Sequence, residues 1–246
     1  MTAPRAGVVS EGHGGKRAPT RIAGCRISVI VPVFDEAAGI VECLDALQGL
    51  RALGHEVIVV DGGSGDGSAE LAAPRADRVL RTTRGRAAQM NAGARAAQGE
   101  ALLFLHADTR LPSRAADAVC AALSSGEWGR FDVEIDGRHA LLPVVAAMMN
   151  LRSRLTGIAT GDQAIFVRRA VFETIGGYAQ IALMEDIELS RRLRRRSRPA
   201  SLRLRVRTSG RRWETRGVLR TVVLMWRLRL AYRFGADPQR LAERYQ

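Results

Sequence analysis

Short apolar runs alternate with segments of helical periodicity through the first half of the chain. The runs at residues 27–34, 56–60, 78–82 and 101–105 are rich in β-branched and large aliphatic residues, which predicts four strands. Each run is followed by a segment that carries a helix signal. Strand–helix alternation at such short intervals predicts an α/β fold in which helices flank a mostly parallel, Rossmann-like central sheet.

The pattern changes after about residue 126. Residues 131–135 alternate between apolar and polar side chains, which predicts a half-exposed strand. Later segments predict an apolar helix at 141–155, a short strand at 164–167, a helix at 185–196, a surface strand at 202–206 and a final helix at 218–234. We expect one domain built from two halves, 25–126 and 127–246. The Gly- and Arg-rich residues 1–24 predict a disordered tail.

Composition indicates the class of protein and its cellular compartment. Hydrophobic residues make up 46% of the 246 positions, which is typical of a packed globular protein. Cys25, Cys43 and Cys120 are widely spaced and belong to no metal or redox motif, which predicts a reducing cytoplasm. The N-terminal tail lacks the apolar segment of a signal peptide. No run of about 18 uncharged apolar residues is present, so we expect no membrane-spanning helix.

Positive charge is concentrated in one part of the chain. The formal net charge is +13, and residues 185–234 contain sixteen arginines against four acidic residues. A basic block of this kind favours anionic partners, among which nucleotide phosphates, nucleic acid and an acidic membrane surface are open at this point.

The C-terminal helix has an apolar face bordered by arginines. Its face consists of Leu219, Val222, Val223, Trp226 and Leu230. Such a face is typical of a helix at a membrane surface, which would place the protein peripherally at the inner face of the membrane, and equally of a core helix with snorkelling arginines.

Candidate chemistry follows the buried run at 101–105, which ends in His106-Ala107-Asp108. Ligands of open α/β sheets bind at the carboxyl ends of the strands, so this position delivers two potential metal ligands to a crevice. A carboxylate there can hold a divalent cation, which in turn holds a diphosphate. The alternatives are that Asp108 caps a helix beginning near Pro112 and that His106 is a packed strand-end histidine.

Four fragments occur in a fixed order: residues 29–36 (Val-Ile-Val-Pro-Val-Phe-Asp-Glu), 59–64 (Val-Val-Asp-Gly-Gly-Ser), 106–108 and the Glu185-Asp186 pair before an arginine-rich helix. This order resembles family 2 glycosyltransferases of the GT-A fold. Residues 161–166 and 176–178 fit the acceptor-side segment of that family. A more specific motif looks like the branch called transferase 2, rSAM/selenodomain-associated. In this motif, Thr208-Ser209 occurs shortly before Arg211-Arg212-Trp213-Glu214.

The resemblance implies a donor site in the first half of the chain. It assigns nucleotide-sugar binding to Pro32, Phe34, Glu36, Asp61, Gly62, Arg86, His106, Ala107 and Asp108. Asp61 can accept a hydrogen bond from a ring N–H of uracil, which favours a UDP-sugar donor. Arg86 can bind a phosphate with two N–H groups. Asp108, with His106, is expected to hold Mg²⁺ or Mn²⁺ against the diphosphate.

The resemblance also implies an acceptor site in the second half. Asp186 would be the general base that deprotonates an acceptor hydroxyl, and direct displacement would invert the anomeric configuration. The expected acceptor contacts are Asp162, Gln163, Glu185, Arg212 and Trp213. Simpler structural roles are open for several of these residues: Asp61 as a turn cap, Glu185 or Asp186 as a favourable charge at a helix start, and Trp213 at the edge of the core.

Two positions depart from the family pattern. Many relatives have a second aspartate where this chain has Gly62, and many have an aspartate where it has His106. These changes remove a potential ribose or sugar contact and reduce the number of carboxylates near the metal.

Two other functions fit the sequence less well than glycosyl transfer does. A sugar-phosphate nucleotidyltransferase would need a Gly-rich Arg/Lys signature after the first strand, where this chain has residues 32–36 instead. A basic nucleic-acid module would not need Asp61, Asp108 and Asp186 together, so we expect no nucleic acid partner. The acceptor is not identified by the sequence, and a lipid-linked acceptor is open.

Overall fold

One eight-stranded sheet organises the computed structural model, which describes residues 25–245. The strands are β1 (Ile27–Val33), β2 (Glu56–Asp61), β3 (Arg78–Arg81), β4 (Ala101–Phe104), β5 (Thr109–Arg110), β6 (Trp128–Asp136), β7 (Phe166–Arg168) and β8 (Ala200–Ser209). The helices are α1 (Ala37–Asp45), α2 (Gln48–Ala52), α3 (Ser68–Ala72), α4 (Arg86–Ala96), α5 (Ala115–Ser125), α6 (Leu142–Thr156), α7 (Arg169–Thr174), α8 (Glu185–Arg196), α9 (Arg211–Arg216), α10 (Val218–Arg233) and α11 (Pro238–Tyr245).

The sheet is mixed, with a parallel first half. Its strand order is β3-β2-β1-β4-β7-β6-β8-β5. The first four strands in this order are mutually parallel, whereas β7 is antiparallel to both β4 and β6. Strand β8 is parallel to β6, with a register shift between Phe131 and Asp132. The predicted α/β class with a mostly parallel sheet is confirmed, and strands of both chain halves share this sheet.

Apolar side chains on the two faces of the sheet form two separate cores. Along β1, Val29 and Val31 belong to one core and Ile30 to the other, because successive strand residues point to opposite faces. Helices α1, α5 and α6 cover the first face, and α4 and α8 cover the second. Both faces are therefore apolar, which explains the nearly continuous hydrophobic runs of the parallel strands.

Several predicted elements differ from the structure. Strand β6 is buried along most of its length instead of half-exposed, because it lies between β7 and β8 and helices α5 and α6 pack on it. Helix α5 begins at Ala115 with Arg114 as its N-cap, so Asp108 does not cap it. Helix α10 is followed by α11 and is not the last helix.

A disulfide links Cys25, just before β1, to Cys120 in α5. The cysteines were expected to be reduced, and for this pair that expectation is wrong. These widely spaced cysteines meet because α5 packs on the face of the sheet to which β1 contributes Val29 and Val31. Cys43 is a buried free thiol.

Two predictions concern features at the limits of the fold. The predicted tail, residues 1–24, lies outside the described residues. Between residues 25 and 245, none of the helices has the length and hydrophobicity required to cross a bilayer.

Candidate active site

The donor-side motifs meet where β1, β2 and β4 end. These strands are parallel neighbours, and Val33 at the end of β1 is in register with Asp61 at the end of β2. Gln89 of α4 links the two strand ends, because its side-chain amide donates to the carbonyl oxygens of Val33 (2.7 Å) and Val60 (2.8 Å). Parallel pairing therefore brings residues 34–36, 61–64 and 106–108 to one edge of the sheet, as the motif order predicts.

The Gly-rich loop after β2 is held by short polar side chains. Asp61 is fully buried, and its carboxylate accepts hydrogen bonds from the backbone N–H groups of Gly63 (3.2 Å) and Ser64 (3.1 Å). Ser64 Oγ in turn accepts from the N–H of Asp35 at 2.9 Å, which ties the loop to the segment after β1. The structure thus gives Asp61 the turn-capping role, and its contact with a nucleobase stays a prediction.

Gly62, where many relatives have an aspartate, lies directly against the side chain of Gln89. A Cβ atom at position 62 would lie 3.1 Å from Nε2 of Gln89, so the Gln89 amide fills the space that a second aspartate would need. Nearby, the guanidinium of Arg84 lies 4.1 Å from the centre of the Phe34 ring. Pro32 continues β1 opposite Val60, and Ala107 is buried in the core, so Ala107 offers only its backbone to a donor.

Asp108 is exposed beyond the end of β4, close to Glu36 at the start of α1. Burial and the Asp108 charge raise the pKa of Glu36, against the opposing charges of Arg211 and Arg86. The described residues contain no group of three or more side chains spaced to hold a metal alone. Mg²⁺ beside a diphosphate commonly needs only one or two carboxylates, with phosphate and water oxygens as the other ligands. The exposed carboxylate of Asp108 fits that requirement.

His106 connects the donor side to the acceptor side. Its Nδ1 atom lies 3.4 Å from the Oδ1 atom of Asp162. Desolvation opposes ionisation of Asp162, but the hydrogen bond with His106 and the charges of Arg86 and Arg212 lower its pKa overall. A Cβ atom at Gly161 would lie 2.4 Å from Nε2 of His106, so the imidazole occupies space that only glycine leaves free. Both ring nitrogens therefore face residues 161–162.

Asp186 lies at the start of α8, beside the same segment. Its Oδ2 atom accepts from the N–H of Gly161 at 2.9 Å, and its Oδ1 atom accepts from the N–H of Ile187 at 2.7 Å. Desolvation raises the pKa of Asp186, and the two N–H donors and Arg86 only partly offset this effect. Burial therefore has a larger effect on the pKa of Asp186 than the charge of Arg86 has.

Glu185 precedes Asp186 and is more deeply buried, with 6% of its surface exposed. Burial, followed by the neighbouring charge of Asp186, raises the pKa of Glu185 to about 7. The same surroundings raise the pKa of the buried Tyr178 hydroxyl well above its ordinary value. The acidic pair is thus one partly exposed carboxylate and one buried carboxyl group.

Arg86 carries a positive charge that interacts with several acidic residues of the site. It is exposed at the first turn of α4, and its charge acts on Glu36, Asp162, Glu185 and Asp186. An exposed guanidinium at the start of a helix is well placed for a diphosphate.

Of the remaining predicted acceptor residues, Arg212 lies at the edge of this site, whereas Trp213 and Gln163 have structural surroundings. Arg212 interacts electrostatically with Arg86 and Asp162, and its guanidinium lies 4.5 Å from the centre of the Tyr245 ring. Trp213 is partly buried against the first core, which agrees with its core-edge alternative. Gln163 is fully buried and its side chain bonds the N–H of Thr160 (3.2 Å), so its role here is structural.

Arg152 of α6 is a candidate site residue that none of the sequence motifs contains. Its Nε and one terminal nitrogen are buried without a hydrogen-bond partner among residues 25–245. Burial lowers the pKa of Arg152, while the charges of Asp186 and Asp162 raise it. Arg152 is one of two arginines in a segment expected to be an apolar helix, and that was the signal that could have identified it.

The chain is similar in sequence to curated glycosyltransferases. A PGL/p-HBAD biosynthesis glycosyltransferase, found in Mycobacterium bovis and Mycobacterium tuberculosis, is 32% identical to this chain over 171 residues. The match covers 61% of this chain and 62% of the relative, so the chain spans less than two thirds of the length of these curated relatives.

Solved structures of low sequence identity share the fold. S. aureus TarS in complex with UDP-GlcNAc superposes with a TM-score of 0.62 at 19% identity, covering 75% of this chain and 58% of TarS. The mannosyltransferase PcManGT from Pyrobaculum calidifontis, in complex with GDP-Man and Mn²⁺, gives 0.59 at 22% identity, covering 88% and 64%. Glucosyl-3-phosphoglycerate synthase from Mycobacterium tuberculosis, with Mg²⁺ and UDP, gives 0.57 at 20% identity, covering 74% and 70%.

The model of the family described as Glycosyl transferase family 2 matches residues 28–173, which run from β1 into α7 and include the donor-side motifs, His106 and Asp162. Since this match covers more than half of the chain, the protein belongs to glycosyl transferase family 2.

Proposed function

We propose that this protein transfers a sugar from a nucleoside-diphosphate sugar, with UDP-sugars favoured, to a hydroxyl group of an acceptor, with inversion at the anomeric carbon. The observation that carries the proposal is the continuous link from donor motif to candidate base. Asp108 and His106 follow the same strand, His106 pairs with Asp162, and the adjacent Gly161 N–H holds Asp186. This link supports a single site for donor and acceptor.

On the donor side, the loop after β2 and the first turn of α4 surround the position for the nucleoside diphosphate. Arg86 would bind phosphate oxygens, while the loop backbone held by Asp61 would contact the base and ribose. Asp108 would hold Mg²⁺ or Mn²⁺, and a metal bound there would stabilise the negative charge of the departing diphosphate. His106 is retained as a second candidate ligand, although its contact with Asp162 supports a positioning role. The ligands of the fold neighbours, UDP, UDP-GlcNAc and GDP-Man, support the donor class.

On the acceptor side, Asp186 would remove the proton from the acceptor hydroxyl as its oxygen attacks the anomeric carbon. The new carbon–oxygen bond forms on the face opposite the diphosphate, which leaves with the electron pair of the broken bond. Asp186 is favoured over Glu185 because it is less buried and is oriented by two backbone N–H groups. A raised pKa favours proton transfer near neutral pH.

The proposal extends to the location of the enzyme and the class of its acceptor. A cytoplasmic enzyme would meet nucleotide sugars directly, and a lipid-linked hydroxyl acceptor would suit the exposed apolar residues of α10. Membership of the rSAM/selenodomain-associated branch stays a prediction.

Two variants separate the donor role from the acceptor role. Asp186→Asn should bind UDP and metal nearly as well as the wild type, yet lose about two to four orders of magnitude in transfer rate, because the base is removed. Asp108→Ala should instead abolish the strengthening of UDP binding by Mn²⁺. Calorimetric titration of UDP and GDP, with and without Mn²⁺, measures binding. Radiolabelled UDP-sugar transfer to membrane lipids or cell extract measures turnover.

Glu185→Gln is the matched control for Asp186→Asn, and a smaller loss is expected because the pair differs in exposure. A dead Glu185→Gln variant beside an active Asp186→Asn variant would reverse the assignment. Tighter binding of GDP than of UDP would refute the uridine preference. Unchanged metal-dependent binding by Asp108→Ala would remove Asp108 as the ligand.

A further inference from the structure

Helix α10 exposes a stripe of large apolar side chains. Leu219, Val223, Trp226, Leu230 and Phe234, just beyond its end, are between 56% and 79% exposed. Val222, which the sequence pattern placed on this face, packs against the first core instead. Burial of Val218, Thr221 and Leu228 shows that α10 contacts the protein with its other side. The stripe is therefore an outer face, and the core alternative does not account for it.

Helix α6 exposes a second stripe of the same kind. Leu141, Val144, Met148, Leu151 and Leu155 recur at three- and four-residue spacing and are between 36% and 77% exposed. Met149 of the same helix packs against the first core, whereas Met148 belongs to the exposed stripe. An uninterrupted apolar stripe on a solvent-facing helix indicates an interaction surface.

The two stripes lie on helices that share part of the first core, to which Leu142 and Val145 of α6 and Val218 of α10 belong. At the start of α6, Leu142 lies against Gly210, directly before α9, and α9 leads through Gly217 into α10. At the other end, Ile158 follows α6 and packs on a small cluster that includes Leu228 of α10. We call the ten exposed side chains of the two stripes the α6–α10 face.

The charge around this face is positive. Helix α10 carries Arg220, Arg227, Arg229 and Arg233, and neither α6 nor α10 contains an acidic residue. A groove of about 1270 Å³ beside α10 is lined by stripe residues such as Leu219 and Phe234 and also by Arg220 and Arg227. Apolar side chains next to exposed guanidinium groups suit a partner that offers acyl chains and anionic head groups together.

We propose that the α6–α10 face docks this protein onto the surface of an anionic lipid bilayer. Stripe residues would enter the boundary between head groups and acyl chains, while the arginines of α10 would bind lipid phosphates. A second copy of the chain fits less well, because pairing two such faces would bring like-charged arginines together. Docking does not depend on sugar transfer and is measurable without donor or acceptor.

Vesicle binding by the intact protein tests the proposal. Flotation should recover it with vesicles containing phosphatidylglycerol but not with pure phosphatidylcholine, and about 0.5 M salt should weaken binding because it screens the arginines. Trp226 is 63% exposed while Trp128 is fully buried, so Trp226 should dominate a blue shift of the emission on binding. Trp226→Phe should remove that shift.

Variants of the face identify its contribution. Leu151→Ser combined with Val223→Ser, and separately Arg220→Gln combined with Arg227→Gln, should each weaken binding to anionic vesicles by about tenfold or more. Leu71→Ser and Leu204→Ser alter exposed apolar residues elsewhere and should bind as the wild type does. Thermal unfolding of each variant verifies folding. Absence of wild-type binding at low salt would overturn the proposal, as would self-association through this face without vesicle binding.

Discussion

At the scale of the residue, Glu185 and Asp186 show that two adjacent carboxyl groups can differ in burial and in hydrogen bonding. Asp186 is partly exposed and its oxygens accept two backbone N–H groups, whereas Glu185 is buried with a pKa raised to about 7. An acid–base pair with distinct surroundings is typical of catalytic sites, although buried ion networks produce the same effect.

The raised pKa of Glu185 predicts a pH-dependent stability. An unfolded chain ionises this group near its ordinary value of 4.5, whereas the folded chain retains the proton up to about pH 7. Folding is therefore progressively disfavoured between those values, by up to about 3 kcal/mol in total, and the penalty stays constant at higher pH. Glu185→Gln removes the penalty, so its free energy of unfolding relative to the wild type should increase between pH 5 and pH 8.

Urea unfolding at both pH values measures this difference. Glu173→Gln is a suitable control because the Glu173 side chain is 65% exposed. A stability difference between Glu185→Gln and the wild type that does not change with pH would contradict the prediction.

At the scale of the element, the short turn Gly161–Gln163 positions much of the site. Gln163 and Thr160 form a capping box, Gly161 supplies an N–H to Asp186, and Asp162 faces His106. Just before it, the N–H of Ala159 donates to Ser190 Oγ of α8 at 3.1 Å. The turn is thus fixed to α8 and β4 at once, and it sets the distance between donor and acceptor residues.

Gly161→Ala should disturb this arrangement because its Cβ would overlap the His106 ring. We expect a loss of about 1–3 kcal/mol in stability, typical of overpacking, and reduced transfer. Shortening the neighbour in the double variant Gly161→Ala, His106→Ala should recover much of the stability, giving a measurable coupling energy.

Gly65→Ala is the matched control, because nothing lies within 4 Å of the added atom. Denaturant unfolding of the wild type, both single variants and the double variant completes the cycle. Additive losses would show that residues 106 and 161 do not share space as described.

At the scale of the whole molecule, the Cys25–Cys120 disulfide closes most of the donor half. The two cysteines are 95 residues apart, and the enclosed segment contains β1–β4. A crosslink of this span restricts the unfolded chain and typically stabilises a fold by about 2–4 kcal/mol.

Reduction should therefore lower the free energy of unfolding of the oxidised protein by about that amount, and it should not affect the Cys25→Ser, Cys120→Ser double variant. Thiol titration in denaturant, after equilibration in an oxidising glutathione buffer, should find one reactive thiol, that of Cys43. Three reactive thiols would contradict the crosslink.

Local patterns were sufficient for strands β1–β4 of the donor half. Short hydrophobic runs, each followed by a helix signal, predicted β1–β4 and their parallel pairing, since a buried parallel strand needs apolar side chains on both faces. Because parallel strands end at one edge, the same pattern placed residues 34–36, 61–64 and 106–108 together. The order of these motifs also indicated the family.

Contacts between distant segments decided what the sequence could not. Burial of β6, the Cys25–Cys120 link and the pairing of His106 with Asp162 depend on which strands become neighbours, and β7 enters the sheet out of sequence order. The exposure of Met148 and Trp226 depends on which side of each helix packs inward. Helical periodicity identifies an apolar face, but only the tertiary structure determines whether protein covers it.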